Sequence, residues 1–238
     1  MKILGMDSSG LVASVAIVEN DALVAEYTTN YKKTHSQTLL PMLDELRNMT
    51  ELDLDTIDAI AIASGPGSFT GLRIGSATAK GLGLALGKPL VEVPTLEGLA
   101  WNLWGSGKIV CPLMDARRNQ VYAAAYEFLP EGEGFALSTV IPQKPVDIGD
   151  MLGELTGLGR PVIFLGDGVP VYREAIREKC AVPYALAPAG SNRQRAASVA
   201  SLGAVYYRQG KTVTAAEHRP EYLRKSQAEQ DSERRQCS

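Results

Sequence analysis

Histidine and cysteine are scarce in this 238-residue chain, at two and three residues. With only His35 and His218 available, a catalytic or metal centre built on several imidazoles is all but excluded. Cys111, Cys180 and Cys237 are odd in number, far apart and without CxxC spacing. Neither a disulfide framework nor a zinc site follows, and reduced thiols are expected. Long apolar runs are missing too: charges, glycine or proline interrupt every stretch before the roughly 18 residues a membrane span requires. The opening residues Met1–Met6 meet Asp7 before a signal-peptide core can form. A cytoplasmic location and no membrane contact are therefore the expectation.

A strong charge of either sign is also lacking, since the formal net charge is −3. Its distribution is uneven. Residues 1–70 carry four basic and ten acidic side chains, whereas residues 193–238 carry nine and five. Such a balance does not describe a protein that binds a polyanion alone, although the basic end could add phosphate contacts within a complex. What the chain has in quantity is apolar residues, at 45%, enough for a sizeable core or for two small ones.

Val, Ile, Leu and Ala fill Lys2–Asp7, Leu11–Glu19 and Ala22–Thr28, separated by Asp7-Ser8-Ser9-Gly10 and Glu19-Asn20-Asp21. This predicts a three-stranded meander. A helix from a Thr34 cap to about Asn48, a strand Ile57–Ala63, a turn Ser64–Gly67, a helix Phe69–Gly87 and a strand Leu90–Val93 follow. A similar opening recurs at Lys108 with a strand to Asp115, a polar turn Ala116-Arg117-Arg118-Asn119 and a strand Gln120–Phe128. Later come a strand Pro161–Leu165, a turn Gly166-Asp167-Gly168, and helices near Tyr172–Lys179 and Asn192–Gln209. The pattern predicts an α/β protein with two lobes of duplicated βββαβα type, residues 1–104 and 105–226, and a disordered tail at 227–238.

Three segments stand out chemically. Asp7-Ser8-Ser9-Gly10 places a carboxylate and two hydroxyls on one turn, which suits either an anion with its metal or an ordinary hairpin. Gly65-Pro66-Gly67-Ser68-Phe69-Thr70-Gly71 joins a strand to a helix but lacks the Gly-Lys-Ser/Thr ending of a P-loop. In the helix that follows, Gly71, Gly75, Ala79, Gly83 and Gly87 recur every four residues and line one face with almost no side chain. Its interior glycines Gly75, Gly81 and Gly83 each cost about 1 kcal/mol relative to Ala, which close packing must offset. In the preceding helix, Leu39, Leu40, Met42, Leu43, Leu46 and Met49 spread over about half of the circumference, wider than the stripe of roughly 100° that one core contact needs. The small stripe lets another element approach closely, either from within the chain or from another subunit, and the wide apolar face of the preceding helix favours the second: a helical docking interface, homomeric or heteromeric, with Leu39, Met42, Leu43, Leu46, Gly71, Gly75, Ala79 and Gly83 as its candidate residues.

Asp7-Ser8-Ser9, Ser64–Gly75, Pro94-Thr95-Leu96-Glu97-Gly98, Asp115-Ala116-Arg117-Arg118, Gly166-Asp167-Gly168 and Arg219-Pro220-Glu221-Tyr222-Leu223-Arg224 together resemble the bacterial TsaB (YeaZ) family, over about residues 1–225. The resemblance implies an actin-like, two-lobed fold of the type shared with Hsp70 and sugar kinases. It implies an accessory role beside a catalytic TsaD-like subunit and a TsaE-like ATPase. That assembly transfers threonylcarbamoyl from its adenylate to N6 of adenosine 37 in tRNAs reading codons that begin with A. It further implies docking through the first two helices, onto TsaD or onto a second copy as a homodimer, with tRNA met through the complex.

Where TsaD-like chains carry His-Leu-Glu-Gly-His, two metal-ligand positions four residues apart on one helical face, this chain reads Thr95-Leu96-Glu97-Gly98-Leu99. Both ligands are gone. The nucleotide turns are degenerate too: Asp7, Ser8, Ser9, Asp115, Gly166 and Gly168 are the candidate remnants, and Arg117 and Arg118 would either crowd a phosphate cradle or pair with a phosphate from outside. No cofactor is expected on this chain, with ATP/ADP and metal on the partners. The competing expectation is a stand-alone ATPase or kinase using Asp7, Ser9 and Asp115 around Mg²⁺. A metallopeptidase is argued against by the missing histidines.

Overall fold

A computed structural model describes residues 1–31 and 34–224. The first lobe runs β1 (Lys2–Asp7), β2 (Ala13–Glu19), β3 (Ala22–Thr29), α1 (His35–Thr50), β4 (Ala59–Gly65), α2 (Phe69–Leu86), β5 (Leu90–Pro94) and α3 (Thr95–Trp101). The second runs β6 (Ile109–Asp115), β7 (Gln120–Glu131), β8 (Gly134–Asp147), α4 (Ile148–Leu158), β9 (Val162–Leu165), α5 (Gly168–Val171), α6 (Arg173–Lys179), β10 (Tyr184–Leu186) and α7 (Ala196–Arg208).

The strand orders β3-β2-β1-β4-β5 and β10-β9-β6-β7-β8 are one topology used twice. In each lobe an antiparallel meander is extended by two parallel strands, with Ile3 opposite Ala59 in the first and Ile109 opposite Val162 in the second. The expected duplication is therefore present. β4 is buried throughout, as the near-continuous apolar run Ala59-Ile60-Ala61-Ile62-Ala63 of a parallel strand covered on both faces demands. The β2–β3 hairpin turns on Asn20 and Asp21, both at positive φ, the conformation a two-residue loop needs to match strand twist.

Helix ends follow local chemistry. Ser68 caps α2 by accepting from the Gly71 N–H, and Gly87 at φ 65° ends it. Thr34 precedes α1 as expected but makes no side-chain cap. β8 and α4 escaped the sequence reading. Pro142 and Pro145 argue against a strand, but β8 is an edge, where a missing donor is tolerated. Gly149, Gly153 and Gly157 weaken α4, which is held by Ile148, Met151, Leu152 and Leu155 against the second sheet.

The lobe boundaries need one correction. α7 lies on the first sheet, where Val199 and Leu202 pack with Ile3, Ala61 and Val91, although it follows the second lobe in sequence. Conversely, Leu96, Leu99 and Ala100 of α3 pack with Val110, Met114 and Tyr126 of the second sheet. α3 thus lies between the sheets, touching β4 and β5 as well as β6 and β7, and it also touches α7. Beyond α7 the chain recrosses the first lobe as a strap. Leu90 and Val213 exchange both backbone hydrogen bonds, and the Glu221 N–H donates to the Ser64 carbonyl at 2.7 Å. Arg224 then reaches the second lobe, donating to the Ala116 carbonyl at 2.9 Å. The expected tail at 227–238 lies outside the described residues.

Candidate functional site

The turns singled out in sequence converge on the cleft between the lobes. Asp7 is buried at the end of β1, and its Oδ1 accepts from the Ser9 N–H at 2.8 Å and the Ser9 hydroxyl at 2.6 Å. Burial pushes its carboxyl up to about 6, with the two Ser9 bonds opposing. The Ser8 hydroxyl donates to the Gly71 carbonyl at 2.9 Å, and the Ser68 N–H donates to the Ser9 carbonyl at 2.6 Å. A hydroxyl has one proton to give. Both are spent within the chain, so this turn is the seat of α2 rather than an open cradle of donors.

Across the cleft, the β6–β7 turn sets Arg117, Arg118 and Asn119 at φ 65°, 56° and 59°, three left-handed residues in succession. Asp115 Oδ1 accepts from the Arg117 N–H at 2.9 Å and the Tyr172 hydroxyl at 3.1 Å. The Asp115 N–H donates to Asp167 Oδ1 at 3.2 Å, and burial raises the Asp167 carboxyl. Gly166 and Gly168 serve close approach: a Cβ on Gly166 would lie 2.1 Å from the Leu113 carbonyl oxygen and one on Gly168 3.0 Å from it. Beside them is a cavity of about 200 Å³ lined by Phe164, Val169, Leu186, Arg173 and Arg193. That is below the range of roughly 300–1,000 Å³ usual for ligand pockets. The two hydroxyls thus bond inward, the cavity is small, and the facing turn carries two arginines.

The place of the missing ligand pair is closed. The Thr95 hydroxyl accepts from the Gly65 N–H at 3.2 Å, and Leu99 is 1% exposed in the core between the lobes. Between them Glu97 accepts from the Tyr206 hydroxyl, and burial raises its carboxyl. Among the described residues no group of three His, Cys, Asp or Glu side chains is placed to hold a metal.

The docking residues named from sequence turn inward. Leu39, Met42, Leu43 and Leu46 are buried in the first lobe's own core with Leu4, Val15 and Ile60. The glycine stripe faces the chain itself. A Cβ on Gly71 would lie 2.1 Å from the Ser8 carbonyl oxygen, one on Gly75 2.4 Å from Ser8 Oγ, and one on Gly83 2.5 Å from Leu90 Cδ1; Ala79 is also buried. The surplus apolar surface is real but sits on other residues. Leu40 and Met49 of α1 and Leu84 of α2 are exposed, the last at 68%. Ala77, Gly81 and Leu84, at i, i+4 and i+7, share the outer face of α2, and nothing among the described residues lies within 4 Å of a Cβ built on Gly81.

Sequence reasoning missed Gln194 and the strap. Gln194 is buried against Gly10, and its amide has no partner among the described residues. No local pattern marks it, because its position comes from the chain's return to the first lobe. The strap's Arg219–Arg224 was visible as a motif but not as a bridge.

Two lobes of one topology, joined by α3 between their sheets and by the return of α7 to the first, define an actin-like α/β protein. The ROK hexokinase of Thermus thermophilus shares this fold, with a TM-score of 0.50 at 14% identity over 89% of this chain and all of that one. Two Pseudomonas aeruginosa structures are more similar. YeaZ superimposes with a TM-score of 0.76 at 28% identity, over 93% of this chain and all of that one. A protein described as similar to peptidase YeaZ gives 0.79 at 26%, over 94% and 99%. The family TsaD, described as tRNA N6-adenosine threonylcarbamoyltransferase, matches residues 22–232. Proteins named "tRNA threonylcarbamoyladenosine biosynthesis protein TsaB" from Bacillus subtilis and Escherichia coli are 33% and 30% identical, each over 96% of both chains. The chain belongs to the TsaB family, within this wider TsaD-type group.

Proposed function

We propose that the chain is a non-catalytic subunit of the machinery that makes threonylcarbamoyladenosine in tRNA, docking a TsaD-like catalytic subunit through the outer faces of α1 and α2. The names of its relatives supply the pathway. The observation that supports a non-catalytic role is the closed ligand position, where the Thr95 hydroxyl is bonded inward and Leu99 is core. A buried leucine offers no donor to a metal, and the inward hydroxyls of Ser8 and Ser9 leave little for a phosphate. In this reading ATP and metal belong to the partners, the TsaD-like subunit and a TsaE-like ATPase, and the complex works in the cytoplasm. The same open helical face would pair two copies when the chain is alone.

The support for docking is Gly81. An exposed mid-helix glycine costs about 1 kcal/mol relative to Ala, and no neighbour among the described residues explains it. A close-packed partner helix does. The test is reconstitution: modified adenosine in tRNA is assayed with the TsaD-like and TsaE-like subunits, with and without this chain. Modification should depend on the chain, while the chain alone should be inactive; modification independent of it would overturn the proposal.

A further inference from the structure

We infer that the β6–β7 turn and the strap form a contact surface for the backbone of the RNA being modified, an inference that rests on the subunit role above. The turn Asp115–Asn119 and the strap Arg219–Arg224 contain four arginines and two carboxylates. Both carboxylates are engaged. Asp115 accepts from Tyr172 and from the Arg117 backbone, and Glu221 Oε2 accepts from Gln143 at 2.9 Å. Arg117 keeps 85% of its side chain in solvent, and its ion pair with Asp115 is long, at 3.8 Å. The two segments are one surface because Arg224 donates to the Ala116 carbonyl inside the turn.

The turn's backbone gives an independent reason. Non-glycine residues in the left-handed region cost roughly 1 kcal/mol each, and such strain gathers at functional sites. Here Arg117 and Arg118, left-handed in succession, are both exposed residues. The strap itself carries an aromatic platform. Tyr222, 40% exposed, lies on Phe69 with ring centres 4.6 Å apart, and Arg73 lies over the Phe69 ring at 4.0 Å. Arginine forks beside an exposed aromatic ring suit phosphates and an unstacked base.

The surface also lies in the right place. Arg73 precedes Ala77 by one helical turn on the outer face of α2, so the basic patch continues the docking face. An RNA held by a subunit on that face would pass beside it.

The test uses the heterodimer of this chain with its TsaD-like subunit, titrated with unmodified tRNA by fluorescence anisotropy at several salt concentrations. Paired Arg117→Gln and Arg118→Gln substitutions should weaken tRNA binding about tenfold and lower the log–log salt slope by roughly one per arginine. Paired replacement by lysine, which keeps the charge, should restore most of the binding. Arg219→Gln, on the strap, should shift the same slope independently, and unchanged melting would show that the variants fold. Assembly with an unaltered slope and affinity overturns the RNA surface alone. Weakened association between the subunits, with RNA affinity of the assembled pair unchanged, overturns it in favour of a protein contact. Failure of the unmutated pair to assemble refutes the subunit reading and this one with it.

Discussion

His218, buried in the strap, binds Glu92 of β5 through Nδ1 at 2.6 Å, and the Arg219 N–H donates to the same carboxylate oxygen at 3.2 Å. Lys80 of α2 clamps the segment further by donating to the Ala216 and His218 carbonyls. One imidazole therefore fastens the strap to the first lobe before Arg224 reaches the second. His218→Ala removes a buried ring and a charge-assisted bond together, which should destabilise the protein by about 2–4 kcal/mol. Urea unfolding measures this, and limited tryptic proteolysis should find new cleavage at Arg224. A variant that unfolds at the unmutated urea midpoint would show the anchor to be dispensable.

Asp7 makes stability depend on pH in a direction opposite to an ordinary salt-bridged carboxylate. Burial raises its pKa from 3.8 to about 6, so between these values the folded state holds more protons than the unfolded chain. Stability contributed at this site falls as pH rises through that window, and the deficit is complete above it. Asp7→Asn keeps an oxygen to accept the Ser9 bonds but carries no charge. It should be more stable than the unmutated protein above pH 7, by up to roughly 3 kcal/mol, with the difference vanishing near pH 4. Denaturant melts of both proteins across this range are the check, and a difference that does not change with pH would contradict the assignment.

Restoring histidine at the two ligand positions should not create a metal centre. Leu99 lies in the core with Leu96, Phe128 and Leu165, so Leu99→His buries an imidazole without room for an ion. Thr95→His also removes the acceptor of the Gly65 N–H. The double variant should lose about 2–5 kcal/mol and bind no stoichiometric zinc or iron. Metal analysis after dialysis, alongside a thermal melt, decides this; a stoichiometric ion in a folded variant would show that the position remains open.

The repeated meanders were legible because β1, β2 and β4 are dense in apolar residues between turn residues, and the second lobe repeats their spacing. β8 and α4 were not, since prolines and glycines oppose their local preference and packing overrides it. The site was legible as segments but not as orientations. Periodicity correctly put Gly71, Gly75, Ala79 and Gly83 on one face, yet it does not say whether that face turns to the chain or away from it. The deciding fact is that Ser8 and Leu90 occupy the space a side chain would need. Gln194 and His218 owe their places to contacts far apart in sequence, which no local pattern encodes.

That orientation divides the glycines of α2 into two experiments. Gly75 lies on the inner face, where a leucine would collide with Ser8 Oγ and Ile62, so Gly75→Leu should disrupt the fold by about 3 kcal/mol or more. A failure of that variant to bind a partner would say nothing about an interface. Gly81 lies on the outer face with open space around it, and Gly81→Leu should raise the stability of the isolated chain by up to about 1 kcal/mol, because leucine favours helix. The same leucine would hold a docked helix away. Gly81→Leu should therefore give a protein at least as stable as the original whose affinity for the TsaD-like subunit falls at least tenfold, whereas Gly81→Ala should keep most of it. Melting and calorimetric titration of the same preparations separate the two effects. Undiminished affinity in a folded Gly81→Leu protein would remove the outer face of α2 from the interface.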